Sequence, residues 1–337
     1  MAIANILRQY AIARFNSILV FKRTRGLTRR RVRLALAVFV LLPMTGCIGS
    51  KSDSPSGIGS PDSSSLNILT EASREKLILF VHGVLGDPSL TWKNRDGLSW
   101  PEMMQQDRAF TDFTIGSMSY DTPLFARTSG IEEIATRLLR KLEDEDVFKK
   151  YKEIYFISHS MGGLVTKRIL VDLNRPSQVE KLRRVKAVLY ISTPAQGADR
   201  AEIASWLSLN PQLQDMRAAD LNSFLQGLEN QWQNLIRDRN IQLFPRSFCA
   251  YETKPTHGVR IVTRVYAATS CDQNPFPVDA DHENIVKPVS QTADVYTWTR
   301  ARIHEATNLA TESPPHWSAH NYKATNGQFR YNSCQLT

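Results

Sequence analysis

Ile157-Ser158-His159-Ser160-Met161-Gly162-Gly163 is the stretch that settles how this chain reads. Before it, Glu153-Ile154-Tyr155-Phe156-Ile157 is a short apolar run of the buried-strand type. After it, Gly162 to Leu173 has helix character and stops at Asn174-Arg175-Pro176. A serine at a strand-to-helix junction, set between small residues, fits the G-x-S-x-G pattern of a nucleophile elbow. The turn brings backbone segments close together, which is why its neighbours must be small. Ser158 stands where the pattern has its first glycine and is still small. Ser160 is the candidate nucleophile.

Working outward, Leu77-Ile78-Leu79-Phe80-Val81 reads as a strand ending in His82-Gly83, and Phe113 to Tyr120 as another. Ile131 to Tyr151 carries Ile134, Leu138, Leu139 and Leu142 at helical spacing. Val185 to Ser192 reads as a fourth strand, and Ser247 to Tyr251 and Val259 to Ala267 as two more. Ala293 to Thr307 reads as a closing helix. Strands alternating with helices imply an α/β fold, a mostly parallel sheet with helices on both faces. Residues 200–240 interrupt the alternation as a helical insertion, with Trp206, Leu213, Leu221, Leu225, Leu228 and Trp232 as apolar-face positions. These line a cap over the site or pack as an ordinary helical pair.

A serine hydroxyl needs a base to take its proton. In this chain order the acid and then the histidine follow the serine. His82 and His159 precede Ser160, His304 sits in the closing helix, and His316 and His320 lie in the polar tail. Of His257 and His282, His282 lies in the loop after the last predicted strand and is the candidate base. Glu252, ending the strand after the insertion, is the favoured acid, with Asp272, Asp279 and Asp281 as rivals. Its role would be to fix the imidazole tautomer and stabilise the imidazolium. Two backbone N–H groups must face the developing oxyanion. Met161, after the serine, would supply one, and Val84 or Leu85, in the loop after the first strand, the other.

With these pieces in place, the chain resembles the lipase/esterase-type α/β-hydrolases, and most of all the serine active site-containing protein and GPI inositol-deacylase-like family. The matching stretches are Phe80 to Asp87 with Thr91-Trp92 and Trp100-Pro101, Ser158 to Val165, Ser192 to Gly197, Tyr251 to Thr256 and Asp281 to Pro288. The family usually has Gly at 158 and His at 195, where this sequence has Ser and Ala. The resemblance implies an α/β-hydrolase fold and hydrolysis of an acyl ester or lipid, with no cofactor. An amide or thioester cut by the same residues, or a silent binding module, are the other readings.

The formal net charge is +9, from 42 basic and 33 acidic residues. Residues 1–46 hold nine of the basic residues and no acidic one, so the remainder is balanced at 33 against 33. The excess therefore belongs to a leader, and nucleic acid is not an expected partner. A basic stretch, an apolar run from Leu34 to Leu42 and Met44-Thr45-Gly46-Cys47 resemble a bacterial lipoprotein signal, with Cys47 as the lipidated residue. The apolar run is too short to span a bilayer. Gly49 to Ser65 is nearly all Ser, Gly, Pro and Asp and reads as a tether. The expected organisation is a signal peptide at 1–46, a lipidated tether at 47–70, a hydrolase domain at 71–310 and a polar tail at 311–337. The expected location is the bacterial cell envelope, facing the periplasm or surface, with a membrane partner through the lipid anchor. In an oxidising compartment Cys249 and Cys271 would bridge neighbouring strand regions, leaving Cys334. No CxxC, HExxH, GxGxxG or GxxxxGK pattern is present, so neither a metal nor a nucleotide is expected.

Overall fold

Apolar runs with no polar alternation can only be satisfied in a sheet covered on both faces. That is the environment they occupy in the computed structural model, which describes residues 64–69, 75–83, 89–120, 128–195, 218–239, 245–258, 262 and 270–311. The strands are β1 (Ser65–Ile68), β2 (Lys76–Val81), β3 (Phe113–Ser119), β4 (Glu153–His159), β5 (Val185–Ile191), β6 (Arg246–Glu252) and β7 (Phe276–Val278). They form one sheet in the order β1-β3-β2-β4-β5-β6-β7. Only β1 runs antiparallel to its neighbour.

The period of two along β2 divides the core. Leu77, Leu79 and Val81 join one buried cluster, Ile78 and Phe80 the other. The first cluster is completed by α2 (Thr128–Asp144), α4 (Met161–Leu173), the single turn α5 (Val179–Leu182) and α6 (Ala218–Asp238), through Leu138, Leu164, Leu182 and Leu228. The second is completed by α1 (Trp100–Gln105) and α7 (Asp294–Thr311), through Trp100, Met104, Tyr296 and Ile303. Fully burying a side chain of this size contributes about 1.5–3 kcal/mol. Helices therefore lie on both faces, as the alternation implies.

Several boundaries differ from the expectation. The tether was expected to reach residue 70, but Ser65–Ile68 pairs with Ser119 to Gly116 and belongs to the sheet. The helix expected over Ile131 to Tyr151 breaks after Asp144. Asp146 adopts φ 54°, a left-handed conformation that Asp tolerates, and a separate turn, α3 (Val147–Lys150), follows. The short helix α1 and the three-residue β7 have no counterpart in the sequence reading. Of the strand expected at Val259 to Ala267, only Val262 is among the described residues. Within the insertion, Leu221, Leu225, Leu228 and Trp232 of α6 are buried in the core, so this part packs as an ordinary helix; Trp206 and Leu213 lie outside the described residues. Cys249 and Cys271 form a disulfide with a Cα–Cα separation of 5.9 Å. Cys47, Val84, Leu85 and the tail from residue 312 lie outside the described residues. Among the described residues no helix is long and apolar enough to cross a membrane.

Candidate active site

In a parallel sheet, loops that leave the carboxyl ends of neighbouring strands converge, and sites form there. Here β2 is followed by His82-Gly83, β4 by Ser160 and β5 by Ser192, and β6 ends on Glu252. Ser160 occupies the turn between β4 and α4 with φ 54° and ψ −130°. A non-glycine residue is held in that region only when its surroundings over-determine it. The surroundings are identifiable. Ser160 N–H donates to the Ile191 carbonyl at 3.0 Å, and Gly163 N–H donates to the Ser160 carbonyl at 3.0 Å. Beneath the turn, a Cβ on Gly162 would overlap the carbonyl oxygen of His82. Above it, a Cβ on Gly83 would lie 2.7 Å from Cβ of Ser160. Both glycines permit a backbone approach that any side chain would block.

Ser158, which replaces the first glycine of the elbow pattern, is fully buried. Its hydroxyl lies 2.8 Å from Thr166 Oγ1, which in turn donates to the Gly162 carbonyl at 3.0 Å. Ser158 is therefore the donor in the first contact, and its added polar group is satisfied locally. The departure from glycine is accommodated by a hydroxyl one turn into α4.

His282 reaches Ser160 from β7. The chain continues in register past β6, with Thr253 N–H donating to Val278 O and Lys254 N–H to Ala280 O. Four residues beyond Val278, His282 places Nε2 2.9 Å from Ser160 Oγ. Its Nδ1 faces Glu252 Oε1 at 3.5 Å. That separation is longer than a formed hydrogen bond, as is common before substrate binds. Glu252 is fully buried; its carboxylate accepts from Ser192 Oγ at 2.5 Å and from Val262 N–H at 2.7 Å. Burial works to raise this carboxyl, but His282, Ser192 and the Val262 amide outweigh it and hold it below the ordinary carboxylate value.

The rival carboxylates are engaged elsewhere. Asp272 pairs with Arg239 and accepts from Ser247 N–H at 2.8 Å. Asp279 pairs with Lys254 at 2.9 Å on the surface. Asp281 accepts from the N–H groups of Glu283 and Asn284, closing the turn after His282. His257 is exposed in a turn with φ 48°. The structure thus brings Ser160, His282 and Glu252 together and leaves the alternatives apart. Met161 is buried as the first residue of α4, where the leading N–H groups have no acceptor within the helix. Val84 and Leu85, the other expected oxyanion donors, fall outside the described residues.

Three contributors escaped the sequence reading. Ser192 and Val262 grip the Glu252 carboxylate, and His159 donates Nε2–H to the His282 carbonyl at 2.9 Å. Burial, with the neighbouring His282 imidazole next, lowers the His159 pKa well below its usual value, so its ring is neutral. His159 and Ser192 lie in stretches singled out in the sequence, but their contacts have no local signal, because each acts across a strand boundary. Among the described residues no group of three or more His, Cys, Asp or Glu side chains is gathered to hold a metal ion.

This strand order, with a strained serine elbow at the sheet's carboxyl edge, is the α/β-hydrolase fold. Residues 71–199 match the family described as "Putative serine esterase (DUF676)". Protein SERAC1 of Homo sapiens is 28% identical over 258 residues, covering 68% of this chain and 38% of that protein. Protein SERAC1 of Danio rerio is 28% identical over 262 residues, covering 68% and 39%. The chain thus spans well under half the length of these curated relatives. Among solved structures, Bacillus licheniformis lipase BlEst2 is 16% identical with a TM-score of 0.45, covering 75% of this chain and 98% of that one. The fold assignment rests on the strand order and the elbow.

Proposed function

We propose that this protein is a serine hydrolase cleaving acyl esters, with Ser160 as nucleophile, His282 as base and Glu252 as the acid that orients it. The observation that carries this reading is the 2.9 Å separation of Ser160 Oγ and His282 Nε2 at a left-handed elbow. The serine esterase family match over residues 71–199 supports the ester as substrate. In this mechanism His282 Nε2 takes the Ser160 proton as Oγ bonds to the acyl carbon. The tetrahedral oxyanion is met by the Met161 N–H and by an N–H from Val84 or Leu85. The ester C–O bond breaks, the alcohol leaves with the proton from His282, and water repeats the sequence to release the acid. We further propose that Cys47 carries a lipid anchor, which would hold the enzyme at the cell envelope beside lipid esters.

The test is hydrolysis of p-nitrophenyl esters of increasing acyl length by the full chain and by Ser160→Ala, together with labelling by a fluorophosphonate. Ser160→Ala is expected to lose activity by about 10⁴- to 10⁶-fold and to abolish labelling. A wild-type chain that neither turns over any ester nor labels would overturn the reading. Turnover of amides or thioesters in preference to esters would redirect the substrate class. For the anchor, Cys47→Ser is expected to move the protein from the membrane to the soluble fraction; an unchanged distribution counts against it.

A further inference from the structure

The peptide groups of His282 are gripped on both sides. Its N–H donates to Thr256 Oγ1 at 2.9 Å, and its carbonyl accepts from His159 Nε2 at 2.9 Å. Thr256 lies four residues after Glu252, and His159 immediately before Ser160. The base is thus tied, through its backbone, to the segment that carries the acid and to the strand that carries the nucleophile. The His159 and His282 rings sit 5.0 Å apart, and Trp92 packs edge-on against His159 at 6.4 Å. A carbonyl oxygen can only accept, so the proton of the neutral His159 ring sits on Nε2. This arrangement gives His159 one tautomer and one orientation.

We propose that His159 is a positioning residue for the reaction, acting with Thr256 to clamp the His282 peptide and thereby set the imidazole-to-Ser160 distance. This rests on the function proposed above. The His159 ring bonds to the His282 carbonyl, so it acts through His282. A rigid strand fixes Ser160, but His282 sits in a loop beyond a three-residue strand and needs an anchor of its own. A displacement of about 1 Å at a reacting group is worth up to about 100-fold in rate.

The test uses the full chain with His159→Leu, His159→Gln and Thr256→Val, p-nitrophenyl butyrate as probe, and hydrogen exchange over residues 281–286. His159→Leu removes the donor; His159→Gln keeps an N–H at the ε position. His159→Leu is expected to lower kcat about 10- to 100-fold with KM within about twofold. His159→Gln is expected to recover kcat to within about fivefold of wild type. Exchange over 281–286 should quicken in His159→Leu and return in His159→Gln. The inference is overturned by a kcat within twofold in His159→Leu, by a Gln variant as impaired as Leu, or by unchanged exchange. If His159→Leu does not fold, Thr256→Val carries the test, since it removes the second grip at nearly constant volume; an unchanged kcat there overturns the clamp. If the wild type neither turns over nor labels, the hydrolase reading fails, and exchange in the Leu and Gln variants alone decides the clamp.

Discussion

Ser192, which follows β5, donates its hydroxyl to Glu252 Oε2 at 2.5 Å from 60 residues away in the chain. With the Val262 N–H on the other oxygen, it holds a buried carboxylate in its charged form. The consequence is a pH dependence of stability. A carboxyl lowered on folding contributes stability above its unfolded pKa, about 4.3 for Glu, and loses that contribution as pH falls through the folded value. We expect Tm to fall steeply below about pH 4 in the wild type. The fall should be shallower in Glu252→Gln, which has nothing to titrate there, and intermediate in Ser192→Ala. Thermal unfolding from pH 7 to pH 3 measures it; parallel curves for wild type and Glu252→Gln would contradict it.

The identity of the acid is decided by activity. Glu252→Gln is expected to lower kcat by about 10⁴-fold, since the imidazole loses the partner that fixes its tautomer. Asp279→Asn should stay within about twofold, because Asp279 meets only Lys254 and Thr253 at the surface. Asp281→Asn should fall in between, because it loosens the turn after His282 without touching the ring. An Asp281 variant as impaired as Glu252→Gln would move the acid to Asp281.

Gly162→Ala is expected to destabilise the domain by about 1–3 kcal/mol or more and to depress activity. The new methyl would overlap the His82 carbonyl oxygen and stand 2.7 Å from the Val81 carbonyl oxygen. Both are backbone atoms at the carboxyl end of a central strand, so neither can rotate away. Urea unfolding reads the change, and a loss under about 0.5 kcal/mol would show that the elbow relaxes more freely than its packing implies.

Lys167 of α4 pairs with Glu229 of α6 at 2.8 Å, with side chains only 2% and 4% exposed. Ser270 lies within hydrogen-bond reach of both groups. Glu229→Ala leaves an ammonium buried without its counter-ion and should destabilise by about 3–5 kcal/mol. Lys167→Met combined with Glu229→Leu should recover most of that loss, because apolar replacements remove the desolvation penalty along with the attraction. Denaturant unfolding of Lys167→Met, Glu229→Leu and their double variant completes the cycle, with Glu229→Ala measured beside them. A double variant as unstable as Glu229→Ala would show that packing, not charge, sets the energy here.

The elements legible in the sequence are those whose signal is local. The apolar runs of β2, β4 and β5 and the serine junction announce themselves, because burial on both faces and a close backbone approach restrict residue type at each position. The elements that escaped are short. Ser65–Ile68 begins at the end of a stretch of Ser, Gly and Pro composition and becomes a strand by pairing with β3. β7 has three residues and includes Pro277, which lacks an N–H and is tolerated because β7 is the edge strand among the described residues. That short strand nevertheless delivers His282.

By itself the sequence determined the α/β alternation, the place of Ser160 at its turn, and the shortlist from which His282 and Glu252 were drawn. A nucleophile elbow constrains neighbours within three residues, so it can be read from them. Only the tertiary structure decided which carboxylate faces the imidazole, how Ser192 and Val262 keep it ionised, and how His159 and Thr256 hold the His282 peptide. These are contacts between groups 10 to 123 residues apart. Their geometry comes from the register of parallel strands, and no local pattern in the chain encodes it.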